Sequence, residues 1–197
     1  MNNEVINGKI ILIGASGVGK TTISNWALTG SFNDNFMPTV GGNYISKEIK
    51  IESTTIKLQI WDTAGDEKYR SLIPMFYRDA KGAVLVYSIC EKKTFQDISY
   101  FVQSLNDRAP DIFKVLVGNK SDMEDSRQVS IEEGSQYADE IQAKFIETSA
   151  RSGDCINNLL QTIAEELYKK YRLEESSKDS ANKTVDISNS WNLPCQC

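Results

Sequence analysis

The stretch Gly14-Ala15-Ser16-Gly17-Val18-Gly19-Lys20-Thr21 decides how this chain is interpreted. It follows an apolar run at 9–13 and precedes a segment whose apolar residues have helical spacing. Glycines without a Cβ let successive backbone N–H groups point into one concavity, and the helix that follows directs its positive dipole end to the same place. The pattern predicts a loop that binds polyphosphate. Lys20 would reach the terminal phosphates, and the Thr21 hydroxyl would bind a bridging Mg²⁺.

Composition indicates one compact domain followed by a tail. The chain has 197 residues, of which 40% are hydrophobic, so it can bury a full core. Its net charge of −5 argues against a nucleic-acid binder that depends on phosphate contacts. The cysteines at 90, 155, 195 and 197 suit neither a disulfide framework nor a zinc site, which predicts a reducing compartment. We expect no signal peptide, because the first residues lack a basic segment, and no run is long enough to span a membrane.

Apolar runs and helical patterns alternate along the chain, which is typical of a parallel sheet flanked by helices. The predicted strands are 9–13, 44–52, 55–61, 83–88, 114–118 and 144–147. The second and third are joined by a short polar turn and are expected to form an antiparallel hairpin. The predicted helices are 20–28, 94–109, 131–142 and 156–172. The polar stretch 174–194 has no sustained period and is predicted to be a disordered linker.

A second motif, Trp61-Asp62-Thr63-Ala64-Gly65, stands at the end of a predicted strand. Ligands of doubly wound sheets sit beyond the carboxyl ends of the strands, so Asp62 would face the phosphate loop and hold Mg²⁺ through water. The Gly65 N–H could approach the last phosphate. The alternative is an ordinary turn, since Asp and Gly are common turn residues.

Two further strand ends point to the base of a nucleotide. In Asn119-Lys120-Ser121-Asp122 the carboxylate can accept two N–H bonds from a guanine edge, whereas adenine offers the wrong donor pattern. Asn119 and Lys120 would pin the loop and cover the ring. In Glu147-Thr148-Ser149-Ala150 the Ala150 N–H could bond the guanine carbonyl. Either segment alone could be a polar exit from a strand.

In this order and spacing the motifs resemble those of the small GTPases of the Ras superfamily, and within it the Rab branch, from about residue 9 to residue 172. The resemblance implies an α/β fold, the P-loop NTPase small G domain. Its sheet has six strands, mostly parallel with one antiparallel hairpin, flanked by five helices. The implied division is a G domain at 1–172 and a hypervariable tail at 173–197. GTP and GDP are the implied ligands and Mg²⁺ the cofactor.

The resemblance also assigns roles by motif position. Lys20, Thr39 and Asp66 would be catalytic, and Thr21, Thr39 and Asp62 would bind Mg²⁺, with Thr39 doing so only in the GTP state. Phe32 would stack on the base and Phe36 would be an aromatic lid near the γ-phosphate. The residues implied in nucleotide binding are Ser16, Gly17, Val18, Gly19, Lys20, Thr21, Thr22, Phe32, Phe36, Thr39, Gly65, Asn119, Lys120, Asp122, Ser149, Ala150 and Arg151. Switch II would run from about 65 to 79.

Two features favour the Rab branch over its sisters. Tyr44, Trp61 and Phe76 fall where Rab proteins have an aromatic triad that effectors contact, although Trp61 could equally be core packing. The stretch 71–78 looks most like the endosomal group. The end of the chain, Cys195-Gln196-Cys197, resembles the double geranylgeranylation signal of Rabs.

These features imply a monomeric switch that hydrolyses GTP and controls vesicle trafficking on the cytoplasmic face of an endomembrane, cycling through the cytosol. Its implied partners are an exchange factor, a GTPase-activating protein, effectors, a GDP dissociation inhibitor and a Rab escort protein, with membrane binding through geranylgeranyl anchors and no nucleic acid.

One departure from the family pattern concerns hydrolysis. Asp66 stands where the family places the glutamine that orients the attacking water and donates to the transferring phosphoryl group. A carboxylate cannot donate and adds negative charge, so slow intrinsic hydrolysis is expected. Asp66 could instead act as a general base or turn into solvent. Two other functions stay open at this point: a GTP-binding interaction module with negligible turnover, and a P-loop nucleotide kinase, which the guanine motif and the terminal cysteines oppose.

Overall fold

The computed structural model describes residues 4–32, 39, 42–65 and 73–185, and from residue 177 onward only the path of the backbone. The predictions for Phe36, Asp66, Cys195 and Cys197 therefore lie outside the described residues. In chain order the elements are β1 (Val5–Ile13), α1 (Lys20–Thr29), β2 (Gly42–Ile51), β3 (Thr54–Thr63), α2 (Ile73–Phe76), β4 (Ala80–Ser88), α3 (Lys92–Gln96), α4 (Ile98–Arg108), β5 (Phe113–Asn119), α5 (Ile131–Glu140), β6 (Ala143–Thr148) and α6 (Ile156–Val185). Every predicted strand is present and is longer than predicted. Its end residues lack a clear hydrophobic pattern but still pair with the neighbouring strand.

The six strands form one sheet in the order β2-β3-β1-β4-β5-β6. β2 and β3 are antiparallel, with Asn43 opposite Asp62 and Tyr44 opposite Trp61. The other neighbouring strands are parallel. The carboxyl ends of β1, β3, β4, β5 and β6 consequently lie at one edge, where the phosphate loop and the other motifs follow them. This confirms the predicted small G domain architecture.

The core lies in two layers because alternate residues of a strand point to opposite faces of the sheet. On β1, Ile10 and Leu12 pack with residues of α1 and α6, and Ile11 and Ile13 pack with residues of α4 and α5. The parallel strands β4 and β5 are covered on both faces, and seven successive residues of β4 are buried. Buried strands of this kind hold the polar loops at their ends in fixed positions.

The predicted helix 94–109 is two helices in the structure, α3 and α4, separated at Asp97. The Tyr100 N–H bonds the Asp97 carbonyl only three residues back, so the backbone tightens at this point. The Asp97 side chain pairs with Lys93. Counted as one interrupted helix, α3 and α4 complete the five helices that flank the sheet in the described part of the chain.

Helix α6 continues to Val185, well past the predicted end at 172. The segment 174–185, part of the predicted disordered linker, is helical. From 156 to 185 there is neither glycine nor proline, and Arg172 and Glu175 form an ion pair at 3.2 Å across the expected boundary. Where the domain ends and the tail begins stays a prediction. No described helix is both long and apolar enough to cross a bilayer.

Candidate functional site

The phosphate loop connects β1 to α1 and has the backbone that its glycines allow. Gly14 and Gly19 have φ angles of 149° and 98°, a region that favours glycine. A Cβ on Gly14 would collide with the Val86 carbonyl oxygen, and one on Gly19 with the Asn119 amide nitrogen. Gly19 is also the N-cap of α1 and provides no capping side chain. The first N–H groups of α1 are therefore left for an anion, as the sequence predicts.

Lys20 lies inside this loop with 5% of its surface exposed. Its Nζ donates hydrogen bonds to the carbonyls of Gly14 and Ala15, both at 2.8 Å. Burial lowers the pKa of Lys20 to about 8, although the nearby Asp62 carboxylate opposes the shift. A cation held this way needs an anionic partner to offset its desolvation, and a phosphate group would provide one.

Three side-chain oxygens meet beside the loop. The Thr21 hydroxyl donates to Asp62 Oδ2 at 2.6 Å and lies 2.6 Å from the Thr39 hydroxyl, which is 3.4 Å from the same carboxylate oxygen. Asp62 is 1% exposed, and its Oδ1 has no hydrogen-bond partner among the described residues. Burial raises the pKa of Asp62, and the hydrogen bond from Thr21 and the charge of Lys20 limit the rise.

These oxygens fit Mg²⁺, which prefers oxygen ligands and usually binds through one or two carboxylates, waters and substrate phosphates. Its charge would satisfy the unpartnered Asp62 oxygen. The described part of the chain contains no cluster of three or more acidic, histidine or cysteine residues suited to a metal. The fit therefore depends on the hydroxyls of Thr21 and Thr39.

Gly65 brings the chain after β3 close to the phosphate loop. A Cβ at this position would lie 2.5 Å from the Ala15 carbonyl oxygen and would also collide with Lys20 Nζ. Only glycine lets the backbone approach this closely, and this is consistent with the expectation that its N–H faces the last phosphate.

Asn119 joins three loops through one buried side chain, which is 2% exposed. Its Nδ2 donates to the Val18 carbonyl in the phosphate loop at 2.7 Å. Its Oδ1 accepts from the Thr148 hydroxyl and from the Ala150 N–H, both at 3.1 Å. The side chain thus ties the phosphate loop to the ends of β5 and β6. The Ala150 N–H is engaged here, so bonding a guanine carbonyl as well requires a shared hydrogen bond.

Asp122 is exposed, and its Oδ1 accepts a hydrogen bond from the Ser149 hydroxyl at 2.5 Å. Lys120 adopts a left-handed backbone with φ of 71° and is partly buried. Arg151 is exposed beside them. The side chains predicted to bind guanine are therefore brought together at the ends of β5 and β6.

The other predicted nucleotide-binding residues that the structure describes differ in exposure. Ser16 and Gly17 are exposed, Val18 is fully buried, and Thr22 and Phe32 are partly buried. Sequence reasoning missed Thr148 as an anchor of Asn119, and it missed Trp26, against which Gly153 packs so closely that a Cβ there would meet the indole ring. A polar residue at a strand end was a signal for Thr148, but nothing local indicated the contact with Trp26.

The predicted aromatic triad forms a continuous group near the site. The ring centroids of Tyr44 and Trp61 are 5.4 Å apart, and those of Trp61 and Phe76 are 6.1 Å apart. Tyr44 is 45% exposed, whereas Trp61 is partly buried and packs against the core as well. Gly42 leaves room for Phe76, whose ring atoms are 2.9 Å from where a Cβ would be. The triad thus combines an exposed surface with core packing.

The sheet, the phosphate loop and the guanine-type strand ends define a P-loop nucleotide-binding protein of the G-domain class. A model of the Ras family matches residues 9–169. The chain is 37% identical over 182 residues to the GTP-binding protein ypt2 of Schizosaccharomyces pombe, covering 92% of this chain and 91% of that protein. It is 40% identical over 182 residues to the Ras-related protein Rab-8A of Gallus gallus, covering 91% and 88%.

The chain belongs to the Ras family, and it is a small GTPase of the Rab type. It hydrolyses GTP. Guanine nucleotide binding and the use of Mg²⁺ are general properties of this family.

Proposed function

We propose that this protein is a GTP/GDP switch that recruits effectors to an endomembrane and thereby controls vesicle traffic. The observation that carries the proposal is the contact of Thr39 with Thr21 and Asp62. Thr39 lies between α1 and β2 in the chain, whereas Thr21 lies in the first turn of α1 and Asp62 near the end of β3. Mg²⁺ bound together with GTP at this point would hold the segment that carries Thr39 against the nucleotide, and the segment would be released after hydrolysis.

The individual roles follow from this geometry. Lys20 neutralises phosphate charge, and Thr21, Thr39 and Asp62 hold Mg²⁺. The Asp122 carboxylate accepts hydrogen bonds from the guanine edge, and Asn119 holds together the loops around the base. Mg²⁺, when bound, neutralises charge that develops on the phosphates. An exchange factor, an activating protein, a GDP dissociation inhibitor and an escort protein are the regulators that a Rab requires, and effectors would contact Tyr44, Trp61 and Phe76.

We infer that Asp66 slows intrinsic GTP hydrolysis. At about 4 Å and an effective dielectric of about 20, a negative charge beside the transferring phosphoryl group costs roughly 4 kcal/mol. About a third of that cost would already slow the reaction tenfold. An activating protein that supplies its own donors could restore the rate.

Phosphate release from GTP-loaded protein in a single turnover tests this inference. We expect Asp66→Gln to release phosphate at least tenfold faster than the natural chain, because an amide can donate and has no charge. Asp107→Gln, at an exposed position of α4, is the control and should match the natural chain. Equal rates for the natural chain and Asp66→Gln would contradict the inference that Asp66 slows intrinsic hydrolysis. No release from either would favour a binding module.

The terminal cysteines are the proposed membrane anchor. Between 174 and 194 the chain has only two lysines, Lys178 and Lys183, against several acidic residues, so no basic patch assists binding. Two lipid chains must then supply the affinity, at about 0.8 kcal/mol per buried CH₂.

Replacing Cys195 and Cys197 together with serine should move the protein from the membrane pellet to the soluble fraction of cells. Cys155→Ser, which removes an exposed cysteine outside the terminal motif, should stay in the pellet. Pelleting of the double variant would refute the anchor. The resemblance of 71–78 to endosomal Rabs supports localisation to endosomes. Imaging of the natural chain together with endosomal markers would test this.

A further inference from the structure

Arg127 makes an extensive set of ion-pair contacts beside the predicted guanine site. Its Nη1 and Nη2 donate to the two carboxylate oxygens of Glu147 at 2.7 and 2.8 Å. Its Nε and Nη2 donate to the two oxygens of Glu124, both at 2.8 Å. Nη1 also donates to the Val129 carbonyl at 2.9 Å. We name Arg127 with its two glutamates the Arg127 clasp.

The two arms of the clasp differ in exposure. The side chains of Arg127 and Glu147 are each 15% exposed, whereas that of Glu124 is 67% exposed. Exposed ion pairs are screened by water and salt and contribute little, but a shielded bidentate pair keeps its strength and its geometry. The arm to Glu147 is therefore the one that can fix a position.

This arm joins the two loops that make up the guanine side of the site. Arg127 lies on the segment that carries Asp122, and Glu147 lies at the end of β6 just before Ser149. The same loops meet a second time where Ser149 donates to Asp122, and a third time where the Ser121 N–H donates to the Thr148 carbonyl at 3.1 Å. Contacts to residues of β6 are therefore made both before Asp122 in the sequence, at Ser121, and after it, at Arg127.

We propose that the Arg127 clasp is a positioning device that sets how long guanine nucleotide stays bound and how well guanine is distinguished from hypoxanthine. Arg127 acts through Asp122 and makes no contact with the base. The inference rests on the proposed role of Asp122 in binding guanine. Without the clasp, only the contacts at Ser121 and Asp122 among the described residues hold the segment 120–129 to the end of β6, on one side of the carboxylate. The segment that follows Asp122 can then shift, and the carboxylate is no longer aligned with the guanine N–H donors.

Comparison of two bases reports on Asp122 specifically. Guanine has a 2-amino group that a carboxylate can accept from, whereas hypoxanthine lacks this group and keeps the rest of the ring. Displacement of Asp122 therefore costs GDP one contact that IDP never makes. General loosening of the domain would affect both nucleotides through their common phosphates and ribose.

The test is the release rate of GDP and of IDP, each with a fluorescent group on the ribose, from full-length protein in excess Mg²⁺. We expect Arg127→Met to release GDP at least tenfold faster, and to bring the ratio of IDP to GDP release rates closer to one. Arg127→Lys should lie between, because a lysine keeps the charge but not the planar fork. Arg172→Met, which removes an exposed ion pair on α6, is the control and should match the natural chain.

Two results would overturn the clasp. One is unchanged GDP release in Arg127→Met, and the other is faster release of GDP and IDP by the same factor. If Arg127→Met does not fold, the double variant Arg127→Met/Glu147→Met removes the unpaired carboxylate as well, and the same two criteria apply to it.

The preference of the natural chain for GDP over IDP shows whether a failed test concerns the clasp or the proposed role of Asp122. If it binds GDP no better than IDP, the role of Asp122 is wrong and the clasp fails with it. If it prefers GDP and Arg127→Met keeps the same preference and rate, only the clasp is wrong.

Discussion

Asn119→Ala is expected to release GDP at least a hundredfold faster than the natural chain. The substitution removes the donor to Val18 and the acceptor for Thr148 and Ala150, so three loops lose their common contact. A buried polar group left without a partner costs about 1–3 kcal/mol. Three groups lose a partner here, so even the low end of this range gives a loss of about 3 kcal/mol. Since about 1.4 kcal/mol corresponds to a factor of ten, this loss corresponds to about a hundredfold.

Dissociation of fluorescent GDP after addition of excess unlabelled GDP measures this effect directly. Asn157→Ala is the matched control, because Asn157 is an exposed asparagine of α6, and it should leave the rate unchanged. A change of less than threefold in Asn119→Ala would mean that the loops hold the nucleotide without this amide.

Thr21→Val is expected to make GDP release independent of Mg²⁺. Valine has nearly the shape of threonine but lacks the hydroxyl that donates to Asp62 and approaches Thr39. Loss of even an indirect metal partner typically weakens metal affinity about 10- to 100-fold, so loss of a direct ligand should do at least as much. Release from the variant in Mg²⁺ should be 10- to 100-fold faster than from the natural chain.

Chelation distinguishes the metal site from a packing defect. EDTA should strongly accelerate release from the natural chain and from Thr21→Ser, which keeps the hydroxyl, and should add little to the already fast release from Thr21→Val. If EDTA accelerates all three proteins equally, Thr21 does not bind the metal that retains the nucleotide.

The sequence was sufficient where a function is encoded in consecutive residues at a strand end. The loop ending in Lys20-Thr21, the turn after Asp62 and the loop from Asn119 each contain their own spacing and glycines, and the parallel sheet brings them to one edge. The family resemblance then supplied Thr39, which no local pattern singled out, and the structure places its hydroxyl 2.6 Å from that of Thr21.

The features that the sequence did not reveal depend on partners far apart in the chain or on small energy differences. Arg127 and Glu147 are separated by a helix, and Trp26 of α1 contacts Gly153, which precedes α6, so neither pair has a periodic signal in the sequence. The end of α6 is a balance of weak propensities in a polar segment, where a few tenths of a kcal/mol per residue decide between helix and coil. The absence of glycine and proline was the available clue.

The register of β2 against β3 places the proposed magnesium site and the proposed effector surface one residue apart along the same two strands. Asn43 is opposite Asp62, the carboxylate proposed to hold Mg²⁺, and the next pair along the same two strands is Tyr44 with Trp61. One step along a strand is about 3.4 Å. If these proposals hold, a change at the ion needs no path through the protein interior to reach effectors, because Asp62 and Trp61 are successive residues of β3 and their partners Asn43 and Tyr44 are successive residues of β2.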